Sequence, residues 1–208
     1  MATLLIIIFA VTLIYLAISE RPIMQNRLLG FQGLLLFGIA IVQTTDFHPS
    51  HVFFIVSETL LVKAIAIPFI LEWIRKHNKV IRTKRMISGT LSVVIVTNIL
   101  IISFLLCSNL HNDHLQTKFF SVATASVLAG IFFIISNRNV YSHLIGYLVM
   151  ENGIFLVSLA VGTEMPLLIN MAIVLDIFFG VLVLGVFLRR VGRAFEGTDI
   201  DFLSNLKD

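Results

Sequence analysis

Residues 141–161 read YSHLIGYLVMENGIFLVSLAV, an apolar run of membrane-spanning length with one acid, Glu151, at its middle. A helix crosses a bilayer with roughly 20 predominantly apolar residues. Six further runs flank this one: Ala2–Ile18, Leu28–Gln43, Val52–Trp73, Ile87–Cys107, Phe119–Ile135 and Leu167–Leu188. Each is near spanning length, the second being the shortest, and polar loops separate them. The sequence therefore predicts an all-α polytopic membrane protein of about seven transmembrane helices. With 208 residues, 58% of them hydrophobic and 13% charged, no length remains for a soluble catalytic domain. The chain divides into helices one to three (1–74), a basic loop with a linker helix four (75–118), helices five to seven (119–188) and a short tail (189–208).

Loop charges give these helices a direction. Arg21 and Arg27 fall in the first loop, Arg75, Lys76, Lys79, Arg82, Lys84 and Arg85 in the third, Arg138 in the fifth, and Arg189, Arg190, Arg193 and Lys207 in the tail. The opposite loops hold only Lys118. Cytoplasmic loops are enriched in Lys and Arg, so the N-terminus is expected outside and the C-terminus in the cytoplasm. The net charge of +3 and pI near 9.2 come from these loops rather than from a phosphate-binding face, which argues against a nucleic-acid partner. Cys107 is the single cysteine, so no disulfide within the chain and no thiolate cluster is possible. The first run has no basic residue before it and is expected to be a retained helix rather than a signal peptide.

A weak internal repeat relates helices one to three to helices five to seven. Arg27-Leu28-Leu29-Gly30-Phe31 matches His143-Leu144-Ile145-Gly146-Tyr147, and the third helix of each triplet carries an acid, Glu58 or Asp176. With helix four as a linker the triplets share one orientation, a parallel repeat; chance similarity of apolar helices is the alternative.

The ionisable residues inside the spans carry the most information, because each costs at least about 2.5–3.5 kcal/mol at the bilayer centre unless a partner, water or a function keeps it there. Lys63, Glu151 and Asp176 all fall ~15 Å deep at ~1.5 Å per residue. Glu58 precedes Lys63 by five residues, which in an α-helix places it ~140° around the axis and off the face of Lys63. His143, Tyr147 and Glu151 recur at i, i+4 and i+8, a stripe from the cytoplasmic surface to the midplane, which Ser158 continues outward. Such groups gain, lose or bridge protons, so Lys63, Glu151 and Asp176, with Glu58, His143 and Tyr147 as accessories, are candidate proton-transfer residues. Static pairing of Lys63 with a carboxylate is the bland alternative, and interfacial His and Tyr are commonly anchors. Gln32, Asn98, Asn152 and Asn170 add polar groups that bind water or hold helices together. Pro68 frees a carbonyl near Ala64, one turn before it and beside Lys63. The 18 Phe residues read as packing and lipid-facing surface. No spacing suggests a haem, quinone or metal site, and no cofactor is expected.

The stretch Ile135-Ser136-Asn137-Arg138-Asn139-Val140, followed by Gly146-Tyr147-Leu148-Val149-Met150-Glu151-Asn152-Gly153 and by Asp176, resembles the component E family of hydrogenase-4-type membrane complexes, with Met-Glu-Asn-Gly as the most specific element. Lys63 with Pro68, and the tail from Gly197-Thr198-Asp199 through Leu203, Leu206 and Lys207, are similar too. Helices five to seven also resemble the K subunit of respiratory complex I and the C subunit of multisubunit cation/proton antiporters, in which two midmembrane glutamates serve proton transfer. Asp176 occupies the second of those positions as an Asp, while Glu151 stands one turn beyond the first, which would fall at Leu148. The resemblance implies a non-catalytic subunit in a bacterial or archaeal cytoplasmic membrane. Its partners would be antiporter-like subunits and the subunit that docks the redox arm, and hydrogen or formate chemistry would occur elsewhere. A purely structural bridging subunit, an antiporter subunit and an autonomous transporter are the alternatives.

Overall fold

The computed structural model describes residues 1–43, 56–77, 86–109, 116–161 and 185. These residues are helical apart from their connections. In order they form α1 (Ala2–Ile18), α2 (Pro22–Gln43), a π-helix π1 (Val56–Ala66) that runs directly into α3 (Ile67–His77), α4 (Gly89–Ser108), α5 (Thr117–Ser136) and α6 (Val140–Val161). Among the described residues four segments are long and apolar enough to cross a membrane, Pro22–Gln43, Gly89–Ser108, Thr117–Ser136 and Tyr141–Ala160; Ala2–Ile18 is apolar but shorter. The seventh expected span, Leu167–Leu188, lies outside the described residues.

Local chemistry accounts for the helix ends. The second helix starts at Pro22, six residues before the first residue of its apolar run at Leu28. Proline suits a first helical turn, where its missing N–H has no partner to lose, and Gln25 ties the turn back by donating to the Ser19 carbonyl at 2.9 Å. Apolar content alone hides this polar first turn. Ser88 caps α4, its hydroxyl accepting from the Leu91 N–H at 3.4 Å. Asn137 closes α5: its Nδ2 donates to the Phe133 carbonyl at 2.8 Å.

The helices pack by close approach of small residues, the mode that lets helices associate in lipid. The α5–α6 hairpin is the tightest pair. A Cβ on Gly130 would stand 2.6 Å from the Gly146 carbonyl oxygen and from the Met150 nitrogen, and one on Gly153 2.8 Å from the Val127 nitrogen. Ser126 donates across the same seam to the Val149 carbonyl at 3.0 Å. Helix α2 touches π1 in the same way, since a Cβ on Gly33 would stand 2.7 Å from the Ala64 nitrogen and 2.8 Å from the Lys63 carbonyl carbon. The two glycines matched in the sequence repeat thus meet different neighbours: Gly30 faces Pro68 of α3, and Gly146 faces Gly130 of α5.

The connections sort to two ends of the bundle. Met86, just before α4, donates its N–H to the Ser136 carbonyl at the end of α5 at 2.9 Å. At the other end Gln43 donates to the Gln116 side-chain oxygen at 2.6 Å, and the Gln116 N–H bonds to the Ala160 carbonyl at 3.1 Å. The buried core runs through the middle, from Phe9, Leu13 and Leu16 of α1 through Leu36 and Ile39 of α2 to Leu144, Leu148 and Leu156 of α6.

Candidate functional site

Lys63 and Glu151 meet inside this core. Lys63 Nζ and a Glu151 carboxylate oxygen form an ion pair, and the residues are only 3% and 5% exposed. Three local features bring them together. Gly33 lets the backbone of π1 lie against α2 at the level of Lys63. The α5–α6 glycine seam fixes the rotation of α6. Phe155, one turn after Glu151 on the same face, lays its ring 4.5 Å from Lys63 Nζ. The ammonium therefore sits against a carboxylate and the negative face of an aromatic ring, both of which stabilise a cation taken out of water. The second Glu151 oxygen, Oε2, takes no hydrogen bond among the described residues, so it is an acceptor open to a proton or a water molecule.

The helix that carries Glu58 and Lys63 has π rather than α geometry. In an α-helix five residues place them on different faces, but a π-helix bonds i to i+5 and so brings residues five apart close to one line. Glu58 and Lys63 both belong to π1 and are five residues, one π-helical hydrogen-bond step, apart along it. The change to α geometry comes at Ile67, with Pro68 next in the chain. Proline donates no N–H, which suits a break between two hydrogen-bond registers. Asn26 Nδ2 accompanies this junction by donating to the Pro68 carbonyl at 2.8 Å.

A second buried polar string lies beside the pair. Asn152, next to Glu151, donates to Gln32 Oε1 at 3.1 Å; Gln32 donates to Thr12 Oγ1 at 2.9 Å; and Thr12 donates to the Phe9 carbonyl at 2.6 Å. It joins α6, α2 and α1 through the core, and Gln32 is fully buried.

The other residues of the stripe through Glu151 make local contacts. His143 Nε2 donates to the Asn137 carbonyl at 2.7 Å, so its ring fastens the α5–α6 connection. Tyr147 is half-buried against the core. Ser158 donates to the Phe155 carbonyl of its own helix at 2.7 Å. Asp176 lies outside the described residues. Phe155 and Thr12 are the site residues the sequence reading passed over. Extending the i, i+4 stripe from Glu151 by one turn reaches Phe155, whereas nothing in an apolar first helix marks Thr12. Among the described residues no three His, Cys, Asp or Glu side chains come together as metal ligands would.

No family model matches the chain, and no solved structure matches it. It is 24% identical over 188 residues to an uncharacterized protein of Mycobacterium tuberculosis, a match covering 88% of this chain and 84% of that one. It is 33% identical over 87 residues to hydrogenase-4 component E of Escherichia coli, and the same holds for the Shigella flexneri protein. That match spans 42% of this chain and 40% of the relative. The similarity to hydrogenase-4 component E is therefore partial, and it agrees with the four membrane-length apolar helices found among the described residues.

Proposed function

We propose that this protein is a non-catalytic integral membrane subunit of a complex I-like respiratory or hydrogenase complex, in which its midmembrane ionisable residues pass protons while redox chemistry proceeds in other subunits. The observation that carries this reading is the Lys63–Glu151 ion pair, buried between π1 and α6 with Glu151 Oε2 still open as an acceptor. A lysine and a carboxylate in contact can exchange a proton with little movement of either side chain. Lys63, Glu151 and Asp176 are the stations, Glu58 the accessory acid one π turn away, and His143 with Tyr147 the cytoplasmic approach. The partial likeness to hydrogenase-4 component E supports a multisubunit setting, with antiporter-like subunits and a redox-arm-docking subunit as neighbours. Seven spans, an outside N-terminus, a cytoplasmic C-terminus and a bacterial or archaeal inner membrane complete the reading.

The test is proton uptake by inverted membrane vesicles containing the assembled complex. Glu151→Gln and Asp176→Asn are expected to assemble and keep redox turnover but to depress proton translocation. Normal pumping by both variants would sink the relay. The contact of Lys63 with the Phe155 ring favours a second reading, a static lock in a bridging subunit. Lys63→Met separates the two: an assembled complex that no longer pumps supports the relay, and a complex that fails to assemble supports the lock.

A further inference from the structure

Lys63 and Glu151 touch, yet their surroundings differ, and the difference divides the work between them. The ammonium of Lys63 has the Glu151 carboxylate against it and the Phe155 ring centred 4.5 Å from its nitrogen. Both neighbours stand on one face of α6, one turn apart. Glu151 gives Oε1 to the lysine, while Oε2 is buried and takes no hydrogen bond among the described residues. Leu148, one turn before Glu151, and Leu156, next to Phe155, are buried in the same core, so the pair is set in apolar packing.

A proton that reaches the pair needs a lone pair to land on. An ammonium has three donors and no acceptor, whereas Oε2 is a vacant acceptor. The step closes without any change in Lys63: the proton binds Oε2, the carboxylate becomes a carboxylic acid, and Oε1 remains an acceptor for the ammonium. The charge of the pair rises from zero to plus one, and it returns to zero when Oε2 passes the proton on. In the interval the ammonium has lost its full counter-charge, and the ring is what still faces it. The negative face of an aromatic ring attracts a cation whatever the neighbouring carboxylate does. A leucine in place of Phe155 would fill space without offering such a face. The rival sequence, in which Lys63 hands its own proton to Glu151, destroys the charge that the ring binds.

We propose that Lys63 is the fixed counter-charge of the relay, that Phe155 is the positioning residue that holds it, and that the proton in transit resides on Glu151 Oε2. This assignment rests on the proton-transfer function proposed for the pair and divides its roles.

The experiment is proton uptake by inverted vesicles carrying the assembled complex, measured per redox turnover. Arginine does not release its proton in proteins and stacks on aromatic faces, so it serves as a counter-charge and not as a carrier. Lys63→Met is expected to lose translocation, and Lys63→Arg to restore most of it. Phe155→Leu is expected to lower translocation roughly tenfold in a complex that still assembles and turns over, with Phe155→Trp restoring it. An assembled Lys63→Arg complex that translocates no better than Lys63→Met would make the lysine a carrier and overturn the proposal. Wild-type translocation by Phe155→Leu would overturn it too, and that variant decides the matter if Lys63→Arg does not assemble. Glu151→Gln separates these failures from failure of the relay: normal translocation by Glu151→Gln removes the relay itself, whereas inactive Glu151→Gln beside inactive Lys63→Arg leaves the relay and removes only the division of roles.

Discussion

Lys63 is held by two side chains of one helix face, Glu151 and Phe155, and the two attractions differ in kind. The carboxylate acts as a full charge whose loss leaves the ammonium buried; the ring acts through its quadrupole and stays in place whatever the carboxylate does. Phe155→Leu is therefore expected to lower the unfolding free energy of the detergent-solubilised protein by about 2 kcal/mol, the range for a desolvated cation–π contact, while Phe155→Trp keeps most of it; equilibrium denaturation distinguishes them. Removing one charge of a buried pair costs about 3–5 kcal/mol, whereas removing both together is close to neutral. A double-mutant cycle with Lys63→Met and Glu151→Gln is accordingly expected to be strongly non-additive, the double variant being more stable than Lys63→Met alone. The two charges were legible in the sequence because an apolar run has no other use for them. Phe155 was not, since a phenylalanine in such a run is indistinguishable from packing until the lysine of another helix is placed over it.

At the scale of the element, the contact surfaces are set by glycines where backbones touch. Gly130→Val is expected to cost about 1–3 kcal/mol, because the new side chain meets the Gly146 carbonyl and the Met150 backbone, neither of which yields without parting α5 from α6. Gly38→Ala is expected to be tolerated, since its Cβ would meet only the flexible tip of Leu5 at 3.3 Å. Thermal melts of the two variants check the contrast. Helix existence was readable along the described chain, and the ends moved by a few residues except at α2, whose polar first turn carries no apolar signal. The π form of π1 was not readable. Periodicity reports helix geometry through the contrast between a wet face and a dry one, and a span surrounded by lipid and protein lacks that contrast. The expected spacing of Glu58 and Lys63 assumes 3.6 residues per turn, which a π-helix does not have.

At the scale of the whole molecule, Met86 before α4 meets Ser136 at the end of α5, while Gln43, Gln116 and Ala160 come together at the opposite end of that helix. Counting Lys and Arg in loops gives the expected side of each connection, because insertion sorts charge by side. Membrane-impermeant maleimide is expected to label Gln116→Cys in right-side-out vesicles and Arg138→Cys only after the vesicles are opened; the reverse pattern would invert the topology. What the sequence could not supply is which polar groups become neighbours across helices far apart in the chain, and the string from Asn152 through Gln32 to Thr12 is such a case. Its donors all point the same way, and it stops at a peptide carbonyl, which has no proton to give and no next acceptor to supply. Amide links hold their protons rather than relay them. The string thus fastens α6, α2 and α1 to one another beside the charged pair through groups that are all neutral, so it orders the three helices without adding a charge to the core.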